Sequence, residues 1–233
     1  MSRPGEIRSP ILCYVTDRRS LPLATSSDAN RLLLQKISAV AATGVDWVQL
    51  REKDFTGREW VSLSRDAIVQ SRVQNSSRGT RILINDRVDV ALAVRSAGVH
   101  LSENGVPIAE ARRLSDTLAQ RRGHDASSFL VGASCHSLGA ALSAARAGAN
   151  YIYFSPIFTT PSKAFYGPPQ GIERLKQVCD AVSIPVLAIG GVSLQNAAEC
   201  FRAGASGIAA IRLFQEAPDL GSVVSRLRSA WLP

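Results

Sequence analysis

Short apolar runs alternate along the chain with longer segments in which Ala, Leu and Arg recur at helical spacing. The runs are Ile11–Val15, Asp46–Leu50, Arg81–Ile84, Gly98–Leu101, Phe129–Ala133, Tyr151–Phe154, Pro185–Ala188 and Gly207–Ala210. Each is almost continuously apolar, the signature of a strand covered on both faces. The intervening segments predict helices around Asn30–Thr43, Arg58–Gln74, Val88–Arg95, Ile108–Gln120, Leu138–Ala147, Ile172–Asp180, Leu194–Arg202 and Leu220–Ala230. Strands that alternate with helices imply a parallel sheet. Closing such a series gives an α/β fold of the single (β/α)8 TIM-barrel type, one domain over residues 1–233 with its core at about 11–230. An open doubly wound sheet is the competing arrangement.

An internal echo supports the repeating unit. Ala42-Thr43-Gly44-Val45-Asp46, Ser96-Ala97-Gly98-Val99, Arg146-Ala147-Gly148-Ala149-Asn150 and Arg202-Ala203-Gly204-Ala205-Ser206 resemble one another at roughly quarter-barrel intervals. In each, a helix is expected to end, with a left-handed Gly turning the chain into the next strand. Gln74–Gly79 reads as a polar turn. Pro156–Gly171 reads as a long loop behind a strand, which in a barrel places it on the catalytic face and makes it a candidate lid.

Composition narrows the function. The 233 residues carry 27 basic and 19 acidic side chains, a formal charge of +8. The cations are scattered, and no basic run interleaves with aromatics. Anionic metabolites are therefore expected as partners rather than nucleic acid. Cys13, Cys135, Cys179 and Cys200 show no metal-ligand spacing and read as reduced thiols. Met1–Ser9 has no apolar signal-like core, and no apolar run is long enough to cross a membrane. A cytoplasmic protein without a membrane partner is expected. The pattern leaves open whether copies assemble into a homo-oligomer.

The strand ends hold the candidate chemistry. In Gln49-Leu50-Arg51-Glu52-Lys53, alternation directs Gln49, Arg51 and Lys53 to one side and Leu50 and Glu52 to the other. Inward cations at a barrel mouth call for an anion, and Arg and Lys both suit phosphate. In Asn85-Asp86-Arg87, Asp86 can either cap the next helix or ligate a metal. His100 is either a hydrogen-bonded core residue or part of the site. His136, in Ser134-Cys135-His136-Ser137, can serve as acid or base, while either serine can cap a helix. His124 lies in a polar loop. Thr159-Thr160-Pro161-Ser162-Lys163 offers hydroxyls and a Lys for an anion grip, or a Schiff-base Lys. Gly190-Gly191 and Ile211-Arg212 follow the last two strands, where barrel enzymes often bind phosphate. One anion region thus involves strands two, three and six, and a second involves strands seven and eight. Such a mouth suits a reaction between two phosphorylated small molecules.

Taken in order, Gln49–Lys53, Asn85–Arg87, Gly98–Leu101, Ser134–Ser137, Pro156–Lys163 and Ala188–Val192 resemble the thiamine phosphate synthase/TenI family, from about Tyr14 to Arg212. The resemblance implies a transferase that couples hydroxymethylpyrimidine diphosphate to thiazole phosphate with Mg²⁺. Carried onto this chain, it implies that Gln49, Arg51, Lys53 and Asn85 bind the pyrimidine diphosphate and that Asp86 ligates Mg²⁺. Ser134 and Lys163 would contact the diphosphate. Thr160, Ser162, Gly190, Gly191, Ile211 and Arg212 would hold thiazole phosphate. Two positions depart from the pattern: Gly105 stands where a second metal-binding Asp is expected, with Glu103 nearby, and Arg212 stands where Ser is usual. The missing Asp keeps in view the family's thiazole tautomerases, which use a His at the position of His136. A non-catalytic precursor-binding regulator is a third alternative.

Overall fold

In a computed structural model, described over residues 9–21, 28–73, 79–122, 126–160 and 168–231, the chain forms a closed parallel barrel. The strands are β1 (Ile11–Val15), β2 (Trp47–Leu50), β3 (Arg81–Asn85), β4 (Gly98–Leu101), β5 (Leu130–Cys135), β6 (Tyr151–Phe154), β7 (Val186–Ala188) and β8 (Gly207–Ala210). Helices α1 (Ala29–Ala42), α2 (Gly57–Val73), α3 (Val88–Val94), α4 (Ile108–Arg122), α5 (Leu138–Arg146), α6 (Gly171–Ala181) and α7 (Ala197–Arg202) follow the first seven strands. A short α8 (Arg212–Gln215) and α9 (Leu220–Ala230) follow the eighth. β1 pairs with both β2 and β8, so the sheet has no edge and the open alternative is excluded.

Alternation along each strand sorts the core into two parts. Leu12, Tyr14, Val48, Leu50, Ile152 and Phe154 face outward and meet the helices. Cys13, Trp47, Leu83, Tyr151, Tyr153, Leu187 and Ala209 fill the barrel interior. Interior packing explains Gly132: a Cβ there would collide with the Tyr151 ring, which lies across the position opposite it in the register.

The echo in the sequence corresponds to a repeated clamp, but only at alternate quarters. At the N-terminal end of β1, Asp46 Oδ2 accepts from Leu12 N at 2.8 Å and from Arg228 Nη2 at 2.8 Å. Arg228 also donates to the carbonyls of Pro10 and Gly44. On the opposite half, Asn150 Oδ1 accepts from Val131 N at 2.7 Å and from Arg112 Nη2. Arg112 also donates to Phe129 O and Gly148 O. Arg112, from α4 before β5, and Arg228, from α9 at the end of the chain, thus each tie a strand to the turn before another strand, once in each half-barrel. Asp46 was expected to open its strand; instead its side chain serves this clamp and β2 begins at Trp47. Gly44, Gly148 and Gly204 take the expected left-handed conformation. Gly98 does not, because the left-handed turn falls earlier, on Arg95 with φ 55°, and Gly98 already pairs in β4.

Other differences are local. β5 runs on to Cys135, carrying Ser134 inside the barrel wall. The helix expected from Leu194 begins at Ala197, because Asn196 first closes a turn, accepting from Ser193 N and donating to Gly191 O. The extra helix α8 buries Gln215, whose Oε1 accepts from the Tyr14 hydroxyl at 2.8 Å.

Candidate active site

The C-terminal ends of the strands bring Gln49, Asn85, His100 and Ser134 around one mouth. Register explains the proximity: Asn85 pairs with His100 across β3 and β4, and His100 pairs with Gly132, two residues before Ser134, across β4 and β5. All four positions fall on inward-facing alternations.

A directed chain of hydrogen bonds crosses the β2–β3 side. Asp86 Oδ2 accepts from Asn85 Nδ2 at 2.9 Å, and Asn85 Oδ1 accepts from Gln49 Nε2 at 2.7 Å. An ionised carboxylate only accepts, so it settles the orientation of both amides. Among the described residues the chain leaves Gln49 Oε1 buried without a partner, in a residue only 2% exposed. A buried orphan acceptor costs about 1–3 kcal/mol, which a ligand N–H would relieve.

Asp86 itself has φ 55° and does not cap α3, whose N-cap is Arg87, so the capping alternative falls. The left-handed turn swings the Asp86 carboxylate toward the β4 loop, where Oδ1 accepts from Ser102 N at 2.6 Å. Gly105 lies against the same oxygen. Among the described residues no group of three or more His, Cys, Asp or Glu gathers for a metal. The donor set at Asp86 is one carboxylate with an unused lone pair on each oxygen. That suits an ion such as Mg²⁺, which keeps several waters and shares substrate phosphate oxygens.

Along β2, Arg51 is half-buried, its N–H donating to Thr16 Oγ1 at 2.9 Å, and Lys53 is exposed. Glu52 points the other way and is buried. It accepts from the Thr16 hydroxyl at 2.7 Å and pairs with Arg18 Nη1 at 3.2 Å. Burial raises the Glu52 carboxyl above its ordinary value despite these partners. Arg18 also grips Asp54 and lies 4.2 Å above the Phe55 ring. The loops after β1 and β2 are thereby tied together beside Arg51 and Lys53.

On the β4–β5 side, His100 is buried, with Nε2 2.9 Å from Ser134 Oγ and Nδ1 3.1 Å from the Tyr151 hydroxyl. Burial, helped by the Arg51 charge, pushes its pKa down to about 3. Of its two sequence readings, the structure shows a bonded core residue that is also in direct contact with a site residue. His136 is half-buried, with Nδ1 2.7 Å from Ser155 O. The α5 cap is Ser137, whose Oγ accepts from Ala140 N, so Ser134 is left for the mouth.

In the second candidate anion region the glycines also meet a packing constraint. Gly190 and Gly191 have φ 96° and 70°, and a Cβ on either would strike the β6 loop, 2.8 Å from Pro156 and 2.7 Å from Phe158. That loop runs alongside them, with Ile157 N donating to Ile189 O and Phe158 N to Gly190 O. The glycine pair therefore admits the β6 loop. Thr160 is buried, and Arg212 Nη2 reaches its Oγ1 at 3.4 Å, so Arg212 links the eighth-strand loop to the sixth. Ile211 is half-buried ahead of α8. Ser162, Lys163 and His124 lie outside the described residues.

Sequence reasoning missed Tyr151 and Tyr153, and the contacts of Thr16 and Arg18. Tyr151 and Tyr153 carried a usable signal, since alternation places them on the inward face of their strand, as it does Ser134 on the neighbouring one. Thr16 and Arg18 carried none, because their partners are more than thirty residues away.

The thiamine monophosphate synthase family model matches residues 21–214. A thiamine-phosphate synthase of Methanoculleus marisnigri is 38% identical over 217 residues, 93% of each chain. One from Roseiflexus sp. is 36% identical over 209 residues, covering 90% of this chain and 80% of the relative. Among solved structures, thiamine phosphate pyrophosphorylase from Pyrococcus furiosus superposes with a TM-score of 0.76 at 30% identity, covering 97% of both chains. The family model over residues 21–214 and relatives 36–38% identical over 90% or more of the chain place this chain in the thiamine monophosphate synthase family.

Proposed function

We propose that this chain joins hydroxymethylpyrimidine diphosphate to thiazole phosphate, giving thiamine phosphate and pyrophosphate. The observation that carries the reading is the unpaired Gln49 Oε1 at the end of the Asp86–Asn85–Gln49 chain. The chain fixes the open group as an acceptor, and an aminopyrimidine supplies the matching N–H donor.

In the reaction the bond between the pyrimidine methylene carbon and the diphosphate oxygen breaks, and the electron pair leaves with pyrophosphate. The thiazole nitrogen then gives its lone pair to that carbon. Both substrates are anionic, so the protein's work is to hold them together and to receive the departing charge. Arg51, Lys53 and Ser134 stand on the diphosphate side, and Lys163 is assigned there by the family resemblance. Asp86 would hold Mg²⁺, which when bound spreads the negative charge of the leaving diphosphate. Thr160 and Arg212, with the Gly190-Gly191 turn and Ile211, form the thiazole phosphate side, and Ser162 is assigned there by the family resemblance. The tautomerase alternative needs only one phosphorylated substrate and would leave the Gln49 chain without a use.

Among the described residues no helix is long and apolar enough to cross a membrane. The four free cysteines suit a reducing compartment, and we place the protein in the cytoplasm.

The test is a coupling assay with both substrates and Mg²⁺, following thiamine phosphate and pyrophosphate. Turnover abolished by EDTA is expected. A folded protein that makes neither product would sink the reading, and loss of activity on His136→Ala in a tautomerase assay would replace it.

A further inference from the structure

Ser134 has one proton to donate, and its neighbour decides where that proton goes. If Ser134 gives it to His100 Nε2, 2.9 Å away, only oxygen lone pairs face the mouth, and a phosphate oxygen meets an acceptor. If His100 gives Nε2–H to Ser134, the hydroxyl proton is free for the phosphate. We propose that His100 is a positioning residue that donates Nε2–H to Ser134 and so turns the Ser134 hydroxyl toward the diphosphate. The inference rests on the synthase reading above.

The surroundings of the ring support this direction. With Nε2 protonated, a neutral imidazole accepts at Nδ1, where the Tyr151 hydroxyl stands at 3.1 Å as a donor. The Tyr151 ring packs in turn against that of Tyr153, centroids 5.5 Å apart, and the Tyr153 hydroxyl lies 3.0 Å from Cys13 Sγ. Tyr151, His100 and Ser134 therefore form a row toward the mouth, with each member able to donate to the next. The ring is also held against turning over. It stacks on Tyr153 with centroids 4.0 Å apart and planes 28° apart, and it is 1% exposed, so no solvent competes for either nitrogen. Gly132 is part of the device, because only a residue without a side chain lets Tyr151 lie across β5 to reach Nδ1.

The first measurement is the ¹⁵N NMR spectrum of the histidine rings in the whole protein, which distinguishes the two tautomers. Protonated Nε2 with unprotonated Nδ1 at His100 is expected; the opposite tautomer would overturn the inference. The second is calorimetric binding of Mg²⁺-pyrophosphate to wild type, Ser134→Ala, His100→Leu and the double variant. Loss of one donor to an anion should weaken binding by about tenfold or more in each single variant. The double variant should bind no more weakly than Ser134→Ala alone, since His100 acts through Ser134. Additive losses would show a merely structural role and overturn the inference while leaving the synthase reading intact. Should His100→Leu fail to fold, Tyr151→Phe removes a single oxygen and takes its place, with the same dependence on Ser134 expected. A wild-type protein that binds no pyrophosphate would defeat the functional reading and this inference with it.

Discussion

Gly105 stands so close to Asp86 that a Cβ on residue 105 would lie 2.9 Å from Asp86 Oδ1. That oxygen is already held by Ser102 N at 2.6 Å, and the next nearest atoms to such a Cβ belong to Ser102 itself. The carboxylate has little room to retreat. Gly105→Ala should therefore displace it, at an overpacking cost of about 1–3 kcal/mol. The expected outcome is Mg²⁺-dependent pyrophosphate binding weakened by about tenfold, with the fold intact by circular dichroism. Unchanged affinity would remove Asp86 from the metal site.

The Gln49–Asn85 bond makes a prediction of the opposite kind. Gln49 buries an unpaired acceptor, so the folded chain gains little from it. Gln49→Leu is expected to leave stability within about 1 kcal/mol of wild type, because the buried orphan disappears along with the bond to Asn85. KM for the pyrimidine diphosphate should rise at least about tenfold, with thiazole phosphate little affected. Equal effects on both substrates would show that Gln49 does not face the pyrimidine.

The two clamps at the barrel floor should act on stability alone. Arg228 and Arg112 each make several hydrogen bonds to carbonyls and to an Asp or Asn side chain. Replacing either by Met should cost about 1–3 kcal/mol in urea unfolding, and the two losses should add because the clamps share no partner. Activity per folded molecule should not change. A coupling beyond about 0.5 kcal/mol would show that the half-barrels do not respond independently.

The thiols bear on the response to alkali. Burial pushes Cys13, Cys135, Cys179 and Cys200 up from 9.0 to about 12. A thiol whose folded pKa is raised contributes stability that is complete below its unfolded value. That contribution is lost as pH climbs through the folded value. Stability should accordingly fall between about pH 9 and pH 12. At pH 8 the native thiols should react with a disulfide reagent far more slowly than in denaturant, Cys179 first, since it is the one that is only half-buried. Rapid labelling of all four without unfolding would contradict the burial.

Much of the fold was legible because it is a matter of periodicity. Continuous apolar runs such as Tyr151–Phe154 declare a strand covered on both faces, and the helices between them leave few ways to connect parallel neighbours. The directions of Gln49 and Glu52 were legible for the same reason, since alternation needs only a strand and a starting point. The exceptions mark where a distant partner intervenes. Asp46 stands at the head of its run, yet β2 begins only at Trp47 and the Asp46 side chain is bound by Arg228. Gly190 and Gly191 read as a phosphate turn, and their second constraint, that a Cβ on either would strike the β6 loop, shows only in the fold.

The sequence by itself determined the repeating strand–helix unit, the mouth at which Gln49, Asn85, Asp86 and Ser134 emerge, and the family pattern they compose. These depend on local spacing, which a chain carries before it folds. Only the tertiary structure decided that Asp86 orients Asn85 and Gln49, that Gly105 lies against Asp86, and that His100 stands between Tyr151 and Ser134. Hydrogen-bond direction and steric contact depend on strand register and barrel closure, which bring together residues far apart in the chain, and no spacing rule encodes distances of 3 Å between them.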